Sequence, residues 1–225
     1  MTAHRIVAFM AAFLIASEAF AGSFTVAPIR LELKQPRRAV SMEVQNTGDR
    51  PAQIQVERYR WIADRDGEDQ LEPTEEVIAT PPIFTLAPGQ KQIVRVIAFG
   101  APDPAKEAAY RVILQETALD DPPPNVVRAL LRISIPFFIT PAGARPSLAL
   151  TSIREGDAWW LSLENAGNAH AQITGARTAG GDPIKANGYL LPGERRRVRI
   201  PAPLDEVLVT LRDQPEQAFQ VRAVQ

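Results

Sequence analysis

Very few side chains in this 225-residue chain could carry covalent chemistry. It has no Cys and only two His, His4 and His170, which excludes a thiolate nucleophile and a metal site built from His and Cys ligands. A Ser-His-Asp arrangement would hang on His170 alone, and no G-x-S-x-G, P-loop or G-x-G-x-x-G spacing accompanies it. His170 follows a turn, where an imidazole is expected to cap or pack. Arg195-Arg196-Arg197 runs into Val198 and Ile200, the pattern of a solvated strand face rather than of a nucleic-acid site. Trp159-Trp160 could stack on a sugar, although on a strand one ring faces the core and the other the surface. The expectation is a protein with no catalytic residue, no metal and no cofactor.

Recognition chemistry is better represented. In Val126 to Phe138 the odd positions Val127, Ala129, Leu131, Ile133, Ile135 and Phe137 make an unbroken apolar face, about 20 Å long at the rise of a strand. The even positions carry Arg128, Leu130, Arg132, Ser134 and Pro136. Taken alone, such alternation reads as a strand packed into its own sandwich. The sharper reading is a strand donated to a partner that lacks one.

These residues must be held by an exported all-β framework. Positions 1–21 have the charged start, short apolar run (Ile6 to Ala16) and small residues (Ala19, Ala21) of a secretory signal cleaved before Gly22. The run is far shorter than the roughly 20 residues of a membrane-spanning helix, so no membrane insertion is expected. Removing Arg5 and Glu18 takes 25 basic and 26 acidic side chains to 24 and 25, a balance that offers nothing to a nucleic-acid backbone. All 20 prolines lie in the mature part, at about twice the usual ~5%, which leaves little room for long helices.

Strand-like runs Phe24 to Leu33, Ala39 to Gln45, Ala52 to Ile62, Lys91 to Ala98, Ala109 to Thr117 and Val126 to Ile139 are separated by turn signals. A change of phase between Ile54/Val56 and Tyr59/Trp61 predicts a bulge. Pro141 to Pro146 has linker composition. A second series follows: Ser147 to Leu150, Ala158 to Leu163, Ala171 to Arg177, Pro183 to Tyr189, Arg195 to Ile200, Glu206 to Leu211 and Ala218 to Val224. The division expected is a signal at 1–21, one sandwich at 22–140, a linker at 141–146 and a second sandwich at 147–225, with no repeat tight enough to show duplication.

Several motifs, in order, resemble the periplasmic chaperones of the chaperone-usher pilus pathway. They are Phe24-Thr25-Val26-Ala27-Pro28-Ile29-Arg30, Asn46-Thr47-Gly48, Phe84-x-Leu86-x-Pro88-Gly89-Gln90 and Glu107-x-x-Tyr110-Arg111. Arg132-Ile133-Ser134-Ile135-Pro136-Phe137-Phe138 continues the match, Pro141 sits where that family's first domain ends, and Leu161-x-Leu163-x-Asn165-x-Gly167-Asn168-x-His170 with Leu190-Leu191-Pro192-Gly193-Glu194 resembles its second. The Ser-Ile-Pro-Phe-Phe stretch is more similar to the archaic, spore-coat-type branch.

The resemblance implies two immunoglobulin-like sandwiches in a boomerang, located in the periplasm. It also implies that the odd face is a donor strand for pilus or fimbrial subunits, which are then delivered to an outer-membrane usher. Arg30 matches one member of a cationic pair that grips the subunit's terminal carboxylate. The other member is Lys in the better-known branch and Pro136 here, leaving Arg132 or Arg128 as possible replacements. Glu107 and Asp213 match acidic members of an interdomain cluster, whose arginine is replaced by Thr140. An exposed apolar face also invites self-association in the absence of a client. The alternative is an exported immunoglobulin-like structural or carbohydrate-binding adhesion protein using Trp159 or Trp160, with a hydrolase third.

Overall fold

A computed structural model describes residues 24–63, 68–99, 103–119 and 129–224; the expected signal at 1–21 and Val127 and Arg128 lie outside this range. No helix occurs among the described residues. The first half contains β1 (Phe24–Ala27), β2 (Leu31–Lys34), β3 (Ala39–Asn46), β4 (Ala52–Ala63), β5 (Asp69–Pro73), β6 (Val77–Thr80), β7 (Ile83–Leu86), β8 (Lys91–Ala98), β9 (Ala108–Thr117) and β10 (Arg132–Thr140). The second contains β11 (Leu148–Glu155), β12 (Ala158–Asn165), β13 (Ala171–Thr178), β14 (Gly188–Leu190), β15 (Arg195–Ile200), β16 (Glu206–Leu211) and β17 (Glu216–Val224).

The first sandwich packs a sheet of order β1-β3-β8-β6 on a sheet of order β2-β10-β9-β4-β5, with β7 also paired to β4. Its core holds Leu31, Val44, Ile54, Val94, Val112 and Phe137, all fully buried. The predicted strand Phe24 to Leu33 is in fact two. Pro28 has no N–H to give to a ladder, and here the chain leaves β3, its partner in one sheet, to run parallel to β10 in the other.

The bulge expected in β4 is absent. Its ladder to β9 runs without a register shift from Gln53↔Thr117 to Arg60↔Tyr110. The phase changes because burial changes face: Ile54 and Val56 enter the sandwich core, whereas Trp61 on the opposite face is buried against the second domain.

In the second sandwich β17 serves both sheets. Glu206↔Gln220 and its neighbours pair antiparallel with β16, and Leu150↔Val221 begins a parallel pairing with β11. Pro183 to Tyr189, expected as a strand, contributes only β14, while Ile184 and Ala186 are buried as core residues.

A repeat unseen at the level of sequence identity emerges in the hydrogen bonding. Asn46 Nδ2 donates to Arg50 O (2.7 Å) and Leu86 O (2.9 Å), and its Oδ1 accepts from Gly48 N (2.9 Å). Asn165 Nδ2 donates to Ala169 O (2.8 Å) and Leu190 O (2.9 Å), and its Oδ1 accepts from Gly167 N (3.0 Å). Both carbonyls then accept from the glycine of a Pro-Gly turn, Gly89 N at 2.9 Å and Gly193 N at 2.7 Å. Each turn is closed by the next side chain: Gln90 Oε1 accepts from Ala87 N, and Glu194 Oε2 from Leu191 N. The same corner thus ties each sandwich together. In the second it also holds the linker, since Asn165 Oδ1 accepts from Ser147 N (3.1 Å). A Cβ on Gly167 would lie 2.4 Å from Arg145 O, so only glycine allows this approach.

Candidate subunit-binding cleft

Strand alternation places Arg111, Pro136 and Phe138 on the face of the first domain that looks toward the second. Tyr110 and Phe137, one residue away, point into the core. Trp61, Ala109 and Phe138 from adjacent strands are buried with Leu191, and Tyr189 packs on them. The ring of Phe138 stacks on His170 at 3.6 Å, and Trp61 meets Tyr189 edge-on at 5.4 Å. His170 therefore packs, as its position after a turn suggested.

The neighbouring row is cationic. Pro136 lies across the ladder from Arg111. On its other side the parallel pairing begins at Phe137↔Leu31, which puts Arg30 level with Pro136. Strands are about 4.8 Å apart, so an arginine stands on each side of the proline on one face. Arg30 donates to Gln172 Oε1 (2.7 Å), pairs with Glu32 and lies 3.8 Å from Asp213. Arg111 lies 3.6 Å over the Trp61 ring and 3.7 Å from Asp69, and burial lowers its pKa. Its side chain is 16% exposed and that of Arg30 18%.

Arg132 is turned to Glu57 (3.4 Å) and Gln115 (3.2 Å) further along the strand. The cation beside Pro136 is Arg111, which sequence reasoning passed over. Its sign was the Tyr110-Arg111 pair on the strand that precedes the Arg132 to Phe138 run and pairs antiparallel with it.

The odd face is graded along β10 and the residues before it. Phe137 and Ile135 are buried in the sandwich's own core, Ile133 and Leu131 are half-buried against it, and Ala129 is exposed. The resemblance implied that all six belong to one donated face; Ile135 and Phe137 instead fill their own domain, as alternation taken alone reads. Beyond β9, the second edge of β10 is paired with β2 only from Phe137 to Thr140, so Arg132 to Pro136 present an open edge among the described residues.

Glu107 and Asp213 do not meet. Read in isolation Glu107 is a solvated loop carboxylate; in the structure its side chain is fully buried. It accepts from Thr140 Oγ1 (2.7 Å) and His170 N (2.9 Å), and its Oε1 lies 2.8 Å from His170 Nδ1. Glu107 N and Asn168 O add a further interdomain bond of 2.9 Å. Thr140 and His170 thus occupy the carboxylate that the expected arginine would have met. Asp213 is exposed, with φ of 60°, beside Arg30 instead.

Residues 23–145 match the family described as "Pili and flagellar-assembly chaperone, PapD N-terminal domain". The chain belongs to this family of pilus-assembly chaperones. Among solved structures, a chain of the CsuC–CsuE chaperone–tip adhesion subunit pre-assembly complex from the archaic Csu pili of Acinetobacter baumannii is 22% identical to the chaperone with a TM-score of 0.73, over 90% of this chain and 100% of that one. The E. coli chaperone DraB is 19% identical, with a TM-score of 0.68 over 92% and 98% of the two chains. A chain of the Salmonella enterica SafA pilin–SafB chaperone complex is 16% identical, with a TM-score of 0.66 over 88% and 95%. These likenesses give the chaperone the same two-sandwich fold. No curated protein matches it by sequence.

Proposed function

We propose that the chaperone works in the periplasm, receives pilus subunits along the open edge of β10, and passes them to an outer-membrane usher. The observation that carries this reading is the combination of that edge with the Arg30–Pro136–Arg111 row at its base. A pilin strand added to the edge satisfies its own backbone groups. Its terminal carboxylate then meets two guanidinium groups in a partly desolvated cleft, where charge-assisted bonds are strong. Leu131 and Ile133, with Ala129 above them, are the residues free to enter a subunit's apolar groove; Ile135 and Phe137 anchor the strand. Completing the burial of Leu131 and Ile133 contributes at most about 3 to 6 kcal/mol. Non-enzymatic action follows from this chemistry, which is all binding.

Of the two rings in the carbohydrate-binding alternative, Trp159 packs against the core of the second sandwich, which leaves Trp160 alone, with the Arg197 guanidinium 5.0 Å from its ring centre. The test is co-expression of the chaperone with a pilus subunit and purification from the periplasm. A stable complex that the Arg30→Ala/Arg111→Ala double variant fails to form is expected. An undiminished complex with that variant would overturn the anchor.

A further inference from the structure

The outer face of the sheet formed by β15, β12, β11 and the end of β17 belongs to neither the cleft nor the hinge. One row across it reads Arg199, Trp160, Ile153, Val224. The next reads Arg197, Ser162, Thr151, Arg222. Trp160 and Ile153, both half-buried, and Val224, 51% exposed, form an aromatic and apolar strip; arginines border it on two sides, and the Arg197 guanidinium lies 5.0 Å from the Trp160 ring centre. Arg195 pairs with Glu164 and Arg197 with Glu155, whereas Arg199 and Arg222 have no ion pair among the described residues. The surplus is positive, although the whole chain is at −1.

We propose that this face rests on an anionic phospholipid surface. Arginines keep their heads at phosphate level while their stems lie along apolar surface, and a Trp at the same level prefers the boundary between headgroup and acyl chain. Four arginines against two carboxylates supply the attraction, which is electrostatic and falls with salt. Gln172 and Asp213, which meet Arg30, belong to β13 and to the β16–β17 turn of the other sheet. A chaperone lying on a membrane by this face would therefore keep its cleft open. Where it meets such a surface rests on the export reading above; whether it binds one does not.

The experiment is co-sedimentation of the mature chaperone with vesicles of phosphatidylethanolamine containing about a third phosphatidylglycerol, against vesicles of phosphatidylcholine alone. Selective binding to the anionic vesicles is expected, lost at high salt and weakened about tenfold or more by Arg199→Glu with Arg222→Glu. Neither arginine has an ion pair to break, so the variant should keep the wild-type melt. Trp160→Phe should abolish the blue shift of fluorescence on binding. No binding, equal binding to both vesicles, or binding indifferent to the charge reversals would overturn the proposal. So would binding to a soluble anionic polysaccharide but not to vesicles. If vesicle binding persists in a protein that captures no pilus subunit, the functional reading fails and this one stands.

Discussion

Arg111 lies directly across the β9–β10 ladder from Pro136, with its guanidinium 3.6 Å over the Trp61 ring. A proline where a cation is expected is thus accompanied by a cation one strand away, on the same face and already partly desolvated.

Replacing Arg111 by Ala should weaken pilin binding about 10- to 100-fold, the loss of one charge-assisted contact of roughly 1.5 to 3 kcal/mol. Arg111→Lys should restore only part of this, because an ammonium neither stacks on Trp61 nor grips a carboxylate through two parallel bonds. Titration of the purified chaperone with a peptide that carries the last residues and free carboxylate of a pilin would measure both. Equal affinities for wild type and Arg111→Ala would remove Arg111 from the site.

The gradient along β10 separates two kinds of apolar residue. Leu131→Glu with Ile133→Glu should lower the melting temperature only slightly, since both side chains already reach water, but should stop pilin binding by carrying charge into an apolar groove. Phe137→Ala should instead cost about 3 to 5 kcal/mol of stability. Thermal melts of the free proteins distinguish them: unfolding of the double Glu variant would mean that the whole face is core.

The all-β class and the turns were legible because Pro, Gly and Asn punctuate alternating runs. What was hidden depends on contacts between distant strands. Arg111 and Pro136 are neighbours only once the β9–β10 register is known. Trp61 seemed to demand a bulge because a one-dimensional pattern cannot show that two faces of β4 are buried, one by the core and one by another domain. Glu107, which only the resemblance placed between the domains, read in isolation as a loop residue because its partners, Thr140 and His170, come from beyond the next strand and from the second sandwich. The Asn46 and Asn165 corners shared too few letters to announce a repeat, although the bonds they make are the same.

Glu107→Ala would leave Thr140 Oγ1 and two nitrogens of His170 without their acceptor. A loss of about 3 kcal/mol or more is expected at a buried site, together with a wider spread of interdomain distances between spin labels on the two sandwiches. His170→Phe, which retains the stack on Phe138 and the backbone N–H but not the ring hydrogen bond to the buried carboxylate, should lose less, about 1.5 to 3 kcal/mol. An unchanged distance distribution in Glu107→Ala would show that the aromatic contacts hold the hinge unaided.

Burial raises the pKa of Glu194, opposed by its bonds to Leu191 N and Arg196. The folded state therefore binds its proton more tightly than the unfolded chain, and this group's contribution to stability falls as pH rises from the ordinary carboxylate range through its raised folded value. Glu194→Gln installs the side chain that stands at the equivalent corner of the first sandwich, Gln90, and retains an acceptor for Leu191 N. The variant's melting temperature should lose that downward slope with pH. A slope identical to wild type would assign it to other groups.

One strand, β10, carries Ile133 at an open edge, Phe137 in the core and Phe138 on the ring of His170. Such a strand acts as a mechanical linkage. A pilin that immobilises its upper end also stiffens the peptide units from which Phe138 packs on the second domain and Thr140 holds Glu107, which bonds to His170. By thermodynamic reciprocity, a domain angle favoured by cargo must in turn favour cargo. Anything that later opens the angle would then loosen the grip without touching the groove.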